Sequence, residues 1–298
     1  MTKKLLILLL FLILLLFCGC EGPDAGKTEE ISINANKSGG IYEVSELLDD
    51  AQYSEYMNDA GALFGKLKVF QSRLANSSEF EFHAYANNII EVINREIPEA
   101  GIVNHGTKYE EESRYEIDGE NITAAEAIQV SDRFFSLFPL KINAGRSFEP
   151  SDFCCRNAEA IPVILGNAYQ DSFRLGDTFE GYYICERRSF TVIGFTDAES
   201  DFYLRSSNCM APYGRFIIMP FENIEEDSFS ARAILLQQIC GFIVTHNSRA
   251  SALAAIQEYL TESGLESWCM AITVFEKSLQ EKMKVGQTPV YRFIQDQQ

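Results

Sequence analysis

Hydrophobic and polar positions follow two different periods in the first third of the chain. Between Tyr42 and Asn76 the spacing is helical, because apolar residues recur three or four positions apart on one face: Leu63, Leu67, Phe70 and Leu74. From Glu79 the period changes to two, as Phe80, Phe82, Ala84 and Ala86 alternate with Glu79, Glu81, His83 and Tyr85. A period of two predicts a strand with one buried and one exposed face.

The middle of the chain predicts a loop, then buried packing, then strands. Residues 105–122 are charged and turn-rich, which indicates a solvated loop, whereas residues 128–140 are apolar and aromatic, which indicates core. The short β-rich run Ile161–Leu165 predicts a strand that Gly166 ends. A short helix over 167–174 and a turn at Gly176 then lead into further strands, the last of which is Phe190–Phe195.

The last third predicts strands on both sides of a helix. Arg215–Met219 and Ile239–Thr245 read as strands separated by an acidic loop over 222–227, and Met270–Val274 reads as a returning strand. Asn247 or Ser248 can cap a helix from Arg249 to Ser263 that Gly264 ends, and its buried stripe consists of Leu253, Ile256 and Leu260. The prediction is a β-α-β unit within an α+β fold of mixed sheets with packed helices.

Four short motifs stand in a fixed order between Asn143 and Phe195. They are Gly145-Arg-Ser-Phe148 with Asp152, Val163–Asn167 with Tyr169 and Phe173, Leu175-Gly-Asp177, and Phe190–Gly194. In this order they resemble the extracytoplasmic core domain of the MacB/FtsX-type ABC transporter permeases. The resemblance implies a MacB-like periplasmic core domain over residues 42–298, with two subdomains joined near the Gly145 turn as one arrangement, and no active site.

The same resemblance implies structural roles for the residues of the motifs. The set is Gly145, Arg146, Phe148, Asp152, Leu165, Gly166, Tyr169, Gly176, Asp177 and Gly194. Gly166 and Gly176 in particular are expected at turns that a side chain would strain.

The first 20 residues read as a targeting segment. Lys3 and Lys4 precede an apolar run of 14 residues, Leu5–Cys18, which is shorter than the roughly 20 residues of a spanning helix and fits a signal peptide. The run ends at a small residue before Cys20, which resembles a lipobox and predicts lipidation of Cys20. An uncleaved anchor and plain secretion are the alternatives. All three place the remainder outside the cytoplasm, at the cell membrane in the first two cases, and residues 21–41 read as a flexible tether.

Charge and composition narrow the classes of partner. Hydrophobic residues make up 46% of the chain, which supports a folded body, and the net charge is −18. A protein with this much negative charge is not expected to bind nucleic acid, because the phosphates need a basic surface. It is equally unsuited to electrostatic docking on anionic lipid, so any membrane attachment has to come from the apolar N-terminal anchor.

Motifs that carry catalysis or bind metals are missing from the sequence. It contains no C-x-x-C, no phosphate-binding G-x-x-x-x-G-K-[ST] and no nucleophile elbow, and His83, His105 and His246 stand far apart. We therefore predict no catalytic, metal or cofactor residue and no enzymatic activity.

Cysteine usage predicts disulfides. Apart from Cys18 and Cys20, the chain has six cysteines: Cys154, Cys155, Cys185, Cys209, Cys240 and Cys269. An even number in an extracytoplasmic chain is typical of disulfide bonding, and six cysteines allow 15 pairings that the sequence does not distinguish.

The C-terminal residues bear on function. Residues 277–298 are polar, without an apolar run that could cross a bilayer, whereas the permeases continue into further membrane helices. We therefore expect a non-catalytic accessory or interaction module that works with a membrane permease and its ABC ATPase in a transport system. An extracellular solute-binding lipoprotein or enzyme that shares only the fold is one alternative. One piece of a split permease is another.

Overall fold

The computed structural model describes residues 40–58, 61–157, 159–207, 209–245 and 247–275. The predicted leader with Cys20, the predicted tether up to residue 39, His246 and residues 276–298 lie outside this range. The described strands and helices, in chain order, are β1 (Gly40–Glu46), α1 (Asp50–Asn58), α2 (Ala62–Ala75), β2 (Glu81–Ile93), β3 (Arg114–Ile117), β4 (Glu120–Val130), α3 (Phe134–Leu137), β5 (Ile142–Gly145), β6 (Ile161–Leu165), β7 (Thr178–Tyr183), β8 (Glu186–Thr196), β9 (Asp201–Leu204), β10 (Cys209–Pro212), β11 (Ile217–Pro220), α4 (Phe229–Gln238), β12 (Gly241–Thr245), α5 (Arg249–Glu262) and β13 (Met270–Phe275).

One end of the main sheet has the order β13-β1-β12-β2, and every neighbouring pair in it is antiparallel. Helices α1 and α2 connect β1 to β2, and α5 connects β12 to β13. Each connection therefore joins two parallel strands that have another strand between them, which is the split β-α-β arrangement. The predicted β-α-β unit is confirmed in this split form.

The remaining strands close into a barrel that β2 shares. β2 is 13 residues long; Glu81–Ala84 pair with β12, while Tyr85–Ile93 pair with β4. From β2 the sheet continues through β7, β8, β6 and β11 to β4, and β4 pairs with β2 again. The chain between β2 and β12 thus contributes five strands to a six-stranded closed ring that β2 completes, with β3 and β5 attached. This chain segment is inserted into the split β-α-β half.

The two ends of the described body lie together. Gly40 pairs with Thr245 and Ile41 pairs with Phe275, and Glu81 at the start of β2 is level with Val244. We call this end, which holds Gly40, Glu81, Thr245 and Phe275, the proximal end. β2 runs away from it, and β8 and β6 run in the same direction as β2, so their carboxyl ends point to the opposite, distal end.

Two aromatic and aliphatic cores stabilise this arrangement. The first fills the barrel and the space between the sheet and helices α1, α2, α4 and α5. The second lies on the other face of the sheet, where α3 and the β9–β10 hairpin cover Tyr85 and Phe242. Tyr85 stacks on Phe134 with ring centroids 5.1 Å apart and contacts Phe242 at 5.9 Å.

This second core corrects the prediction that β2 has an exposed face. His83 and Tyr85 were placed on the solvent side, but their exposed fractions are 1% and 0%. Nδ1 of His83 donates to the carbonyl of Arg133, 2.9 Å away, because a carbonyl oxygen can only accept. Burial lowers the pKa of His83, so the ring is held neutral.

Three other predictions are wrong at the level of elements. Residues 42–46 belong to strand β1, which spans Gly40–Glu46, so the helical spacing begins only after Glu46. The predicted loop over 105–122 contains β3 and the start of β4, joined by a tight turn with positive φ at Asp118 and Gly119. Leu253 is 36% exposed, because the buried stripe of α5 runs through Ala252, Ala255, Ile256 and Leu260.

The junction between the two halves also differs from the expectation. It lies along β2 and in front of β12, where Tyr85 N donates to the carbonyl of Cys240. Gly145 was expected at this junction but lies within the inserted half, paired with β8. Helix α4, which precedes β12, had no counterpart in the sequence interpretation.

Candidate functional site

The four motifs meet at one place, although up to 50 residues separate them in the sequence. Gly145 pairs with Gly194, Leu165 pairs with Phe195, and the amide of Gly176 donates to the carbonyl of Val192 at 2.8 Å. All of these contacts lie towards the carboxyl ends of β6 and β8. We call residues 145–152, 166–177 and 194–197 the distal corner.

In the distal corner two segments of the backbone cross closely at glycine residues. Gly145 has φ +79°, and a Cβ there would lie 2.3 Å from the carbonyl oxygen of Ile193. A Cβ on Gly194 would lie 2.4 Å from the carbonyl oxygen of Arg146, whose amide donates to Ile193 O at 3.0 Å. Glycine at both positions therefore permits the close approach of β5 to β8.

Arg146 and Asp152 form a bidentate ion pair beside this crossing. Nη1 of Arg146 donates to Oδ2 of Asp152 at 2.6 Å and Nη2 donates to Oδ1 at 3.1 Å, while the amide of Glu149 donates to Oδ2 at 2.7 Å. Burial opposes ionisation of Asp152, but these hydrogen bonds from Arg146 and Glu149 outweigh it and hold the pKa of Asp152 below its usual range. The pair closes the loop that carries Phe148.

Asp152→Asn should destabilise the protein by about 1 kcal/mol at pH 7, because a neutral amide replaces a carboxylate that accepts charge-assisted hydrogen bonds. A depressed native pKa stabilises the fold above the unfolded pKa of about 3.9, and this contribution is lost as the pH falls through the native value. Urea unfolding of both proteins at pH 7 and near pH 3 tests this. Equal differences in stability at the two pH values would contradict it.

Asp177 organises the neighbouring turn in a similar way. Its Oδ2 accepts hydrogen bonds from Nη2 of Arg95 at 2.7 Å and from the amide of Arg174 at 3.0 Å. The guanidinium of Arg95 also lies over the ring of Phe173, 4.7 Å from its centroid. Gly176 has φ +83°, a conformation that side chains rarely adopt, so the turn needs a glycine there.

The third part of the distal corner follows β6. Leu165 and Tyr169 are fully buried, and the amide of Gly166 donates to the carbonyl of Phe216 at 2.9 Å. Asn167 N donates to Oγ1 of Thr196 at 3.2 Å. These contacts fasten the turn after β6 to the chain before β11 and to the end of β8.

An aromatic row connects the distal corner to the second core. Phe148 stacks on Phe135 with centroids 6.1 Å apart and meets Phe153 edge-on at 5.7 Å. Phe135 in turn contacts the buried Tyr213 at 6.4 Å. On the outer side Leu175 is 48% exposed and lies over Gly145. The motif side chains that form the distal corner are engaged in packing and ion pairs. Leu175 is the most exposed apolar side chain of the motifs.

No disulfide joins the cysteines whose side chains the structure describes. Five of the six have described side chains, and all five are free thiols: Cys154, Cys185, Cys209, Cys240 and Cys269. They lie in separate parts of the fold. For example, Cys185 is in the turn between β7 and β8, and Cys240 directly precedes β12. The thiol of Cys240 instead donates to Oε2 of Glu46 at 2.7 Å, and burial raises its pKa. The side chain of Cys155 lies outside the described residues.

Other polar features lie away from the distal corner. A cleft of about 650 Å³ between α2 and α5 is lined mainly by polar side chains, and the ion pair of Arg73 with Glu262, 3.1 Å long, is exposed beside it. Within the described part of the chain no three His, Cys, Asp or Glu side chains form a group able to hold a metal ion. No helix among the described residues is long and apolar enough to span a membrane.

Several residues that matter here were missed by sequence reasoning. Arg95 lies 82 residues from its partner Asp177 in the sequence, and no local sequence pattern predicts their contact. The same is true of Arg188 and Glu222, which form a mostly buried ion pair with Nη2 and Oε1 2.7 Å apart. Long-range ion pairs of this kind become visible only when strands that are distant in sequence are brought together.

The fold and the distal corner define an α+β domain whose two halves share strand β2. The family model of the MacB-like periplasmic core domain matches residues 53–261. The chain therefore belongs to this family and is a domain of the kind found in ABC-type transporter permeases. Domains of this kind are not themselves catalytic, and the comparisons give no support to a solute-binding lipoprotein or an enzyme.

Two solved structures are similar to this chain. The periplasmic region of MacB from Actinobacillus actinomycetemcomitans is 13% identical, with 88% of this chain and 100% of that chain covered at a TM-score of 0.41. The extracellular domain of the noncanonic ABC-type transporter YknZ from Gram-positive bacteria is 11% identical, with 78% and 99% covered at a TM-score of 0.39. No curated protein matches the chain.

Proposed function

We propose that this chain is a membrane-tethered, non-catalytic module that binds the membrane components of an ABC-type export system on the outer face of the membrane. The carrying observation is the family match over residues 53–261. The placement of the ends supports it, because Ile41 and Phe275 are paired neighbours at the proximal end. Any chain segment that attaches the body to a membrane before Gly40 approaches it from that end, and the distal corner then points away.

The attachment we propose is a lipid on Cys20. Lys3, Lys4 and the apolar run Leu5–Cys18 have the features of a signal peptide, and Cys20 follows a small residue. From Cys20 to Gly40 the chain has 20 peptide links, which can reach at most about 70 Å when extended. That reach allows the body to meet a neighbouring membrane protein without leaving the bilayer surface.

Cys20→Ala should release the protein from the membrane fraction or leave it with an uncleaved leader, because the lipid acceptor is lost. Fractionation combined with metabolic labelling by a radioactive fatty acid measures this. Cys18→Ala is the matched control and should keep both label and location. Label that persists in the Cys20→Ala protein would contradict the assignment.

The partner we propose is a membrane permease together with its ABC ATPase. The sequence has no phosphate-binding G-x-x-x-x-G-K-[ST], so ATP hydrolysis in such a complex has to come from the partner. Affinity purification of the full chain from detergent-solubilised membranes, followed by mass spectrometry, tests this. We expect a permease and an ATPase to co-purify in fixed ratio. Recovery of the chain alone at physiological salt, after cross-linking as well as without it, would contradict the proposal.

A further inference from the structure

Strand β13 forms one edge of the main sheet. It stands first in the strand order, and among the strands that the structure describes its one partner is β1. The pairing runs without a break from Ile41 with Phe275 to Glu46 with Met270. The edge therefore has no β-bulge that would twist it away from an incoming strand.

The direction of the backbone groups of β13 follows from one hydrogen bond. The amide of Leu47 donates to the carbonyl of Cys269 at 2.9 Å, so residues 269, 271, 273 and 275 face β1. Met270, Ile272 and Val274 consequently direct their amides and carbonyls outwards. Nη2 of Arg249 donates to the outward carbonyl of Ile272 at 2.9 Å, which agrees with this parity. The outward groups of Met270 and Val274 have no hydrogen-bond partner among the described residues.

Native sheets protect such edges, and the two ends of this sheet differ in this respect. At the other end β3 is four residues long and carries Arg114 and Glu116, two charges that discourage strand addition. β13 has six residues, Met-Ala-Ile-Thr-Val-Phe, without a charge or a proline. The β13 edge therefore has the features of a strand that is meant to be paired.

We propose that β13 receives an extended segment of the membrane partner as an additional strand, and that this segment is neutral or basic. The inference rests on the proposed function. Backbone pairing supplies the affinity, and Ala271 and Thr273 are small enough to leave room for side chains of the incoming strand on one face. The edge ends at Phe275 in the proximal end, next to Ile41 at the start of β1.

Charge decides against a second copy as the occupant. Two chains that each carry −18 repel one another, whereas the same charge attracts a basic segment. A symmetric antiparallel pairing centred on Ile272 would also bring Arg249 of both copies to the same point. A segment from another protein meets neither obstacle.

Val274→Pro in the full chain tests the proposal. Its amide points outwards, so proline removes no hydrogen bond to β1 but removes one to the incoming strand and places a ring against it. We expect at least a tenfold loss of co-purified permease and ATPase with an unchanged unfolding midpoint. Val274→Thr keeps the amide and a β-branched shape, and it should bind like the wild type.

The outcomes separate the two proposals. If neither wild type nor variants recover a partner, the proposed function fails and this inference fails with it. If Val274→Pro recovers the partner like the wild type, the β13 inference fails alone. Hydrogen exchange adds a direct readout, since the amides of Met270, Ile272 and Val274 should exchange fast in the isolated chain and slowly in the complex. Slow exchange in the isolated chain would overturn the inference, because another copy or another part of this chain would then cover the edge.

Discussion

Replacing Gly166 by alanine should destabilise the protein by about 3 kcal/mol, at the upper end of what overpacking costs. A Cβ at this position would lie 2.1 Å from the carbonyl oxygen of Gly214 and 2.6 Å from that of Tyr213. Both obstacles are backbone atoms, so no side-chain rotation relieves the contact. Urea unfolding of the full chain in mild detergent measures the change in the free energy of unfolding.

Gly65→Ala is the matched control for this substitution. Gly65 lies inside α2, and a Cβ there would have nothing within 4 Å. The same chemical change should therefore stabilise the protein by about 0.5–1 kcal/mol through the higher helix propensity of alanine. A Gly166→Ala protein that is as stable as wild type, with Gly65→Ala stabilised, would contradict the close approach of the two backbones.

Gly166 and Gly176 illustrate how far sequence reasoning reaches. Both were expected at turns that exclude a side chain, and both lie at chain reversals in the distal corner. At Gly176 the reason is local, because φ is +83° with open space around the Cβ position. At Gly166 φ is −59°, which any residue adopts, and the obstacle is Gly214, 48 residues away. Only the first kind of reason, a local backbone conformation, can be predicted from the neighbouring residues in the sequence.

The helices and strands show the same difference between what local sequence predicts and what depends on distant residues. Ile161–Leu165 was predicted with its observed bounds, because an apolar run with three β-branched residues before a glycine marks a buried strand. The helix from Arg249 was also predicted, and Oγ of Ser248 accepts from the amide of Ser251 at its start. Exposure was predicted less well. The alternation in β2 indicated a strand but could not show that α3 and the β9–β10 hairpin would cover its second face.

The closed barrel could not be predicted from local patterns. It depends on one long strand that changes partner at Tyr85, from β12 on one side of the junction to β4 on the other. Nothing in the alternation of β2 marks that change. The hairpin of β3 and β4 did carry a signal, since Asp118-Gly119 is a preferred two-residue turn, but the many carboxylates around it favoured the interpretation as a loop.

Arg188→Met should destabilise the protein by about 3 kcal/mol, because it leaves the carboxylate of Glu222 inside the protein without its guanidinium. The Glu222 side chain is 0% exposed and that of Arg188 13%, and Nη2 donates to Oε1 at 2.7 Å. Glu222 is the first residue of the predicted acidic loop, yet it lies two residues after the end of β11 and is buried. Urea unfolding of the full chain again gives the measurement.

The double variant Arg188→Met with Glu222→Met shows whether the loss comes from the buried charge of Glu222 after Arg188 is removed. Methionine matches the length of both side chains, and replacing a whole buried ion pair by apolar residues is often close to neutral. We therefore expect the double variant to regain most of the roughly 3 kcal/mol lost by the single one, a coupling that a double-mutant cycle quantifies. Glu186, 3.6 Å from Nη1 of Arg188, lies on the exposed side and should contribute less. If the double variant is as unstable as the sum of the single ones, packing by Arg188 and not charge holds β8 to the chain after β11.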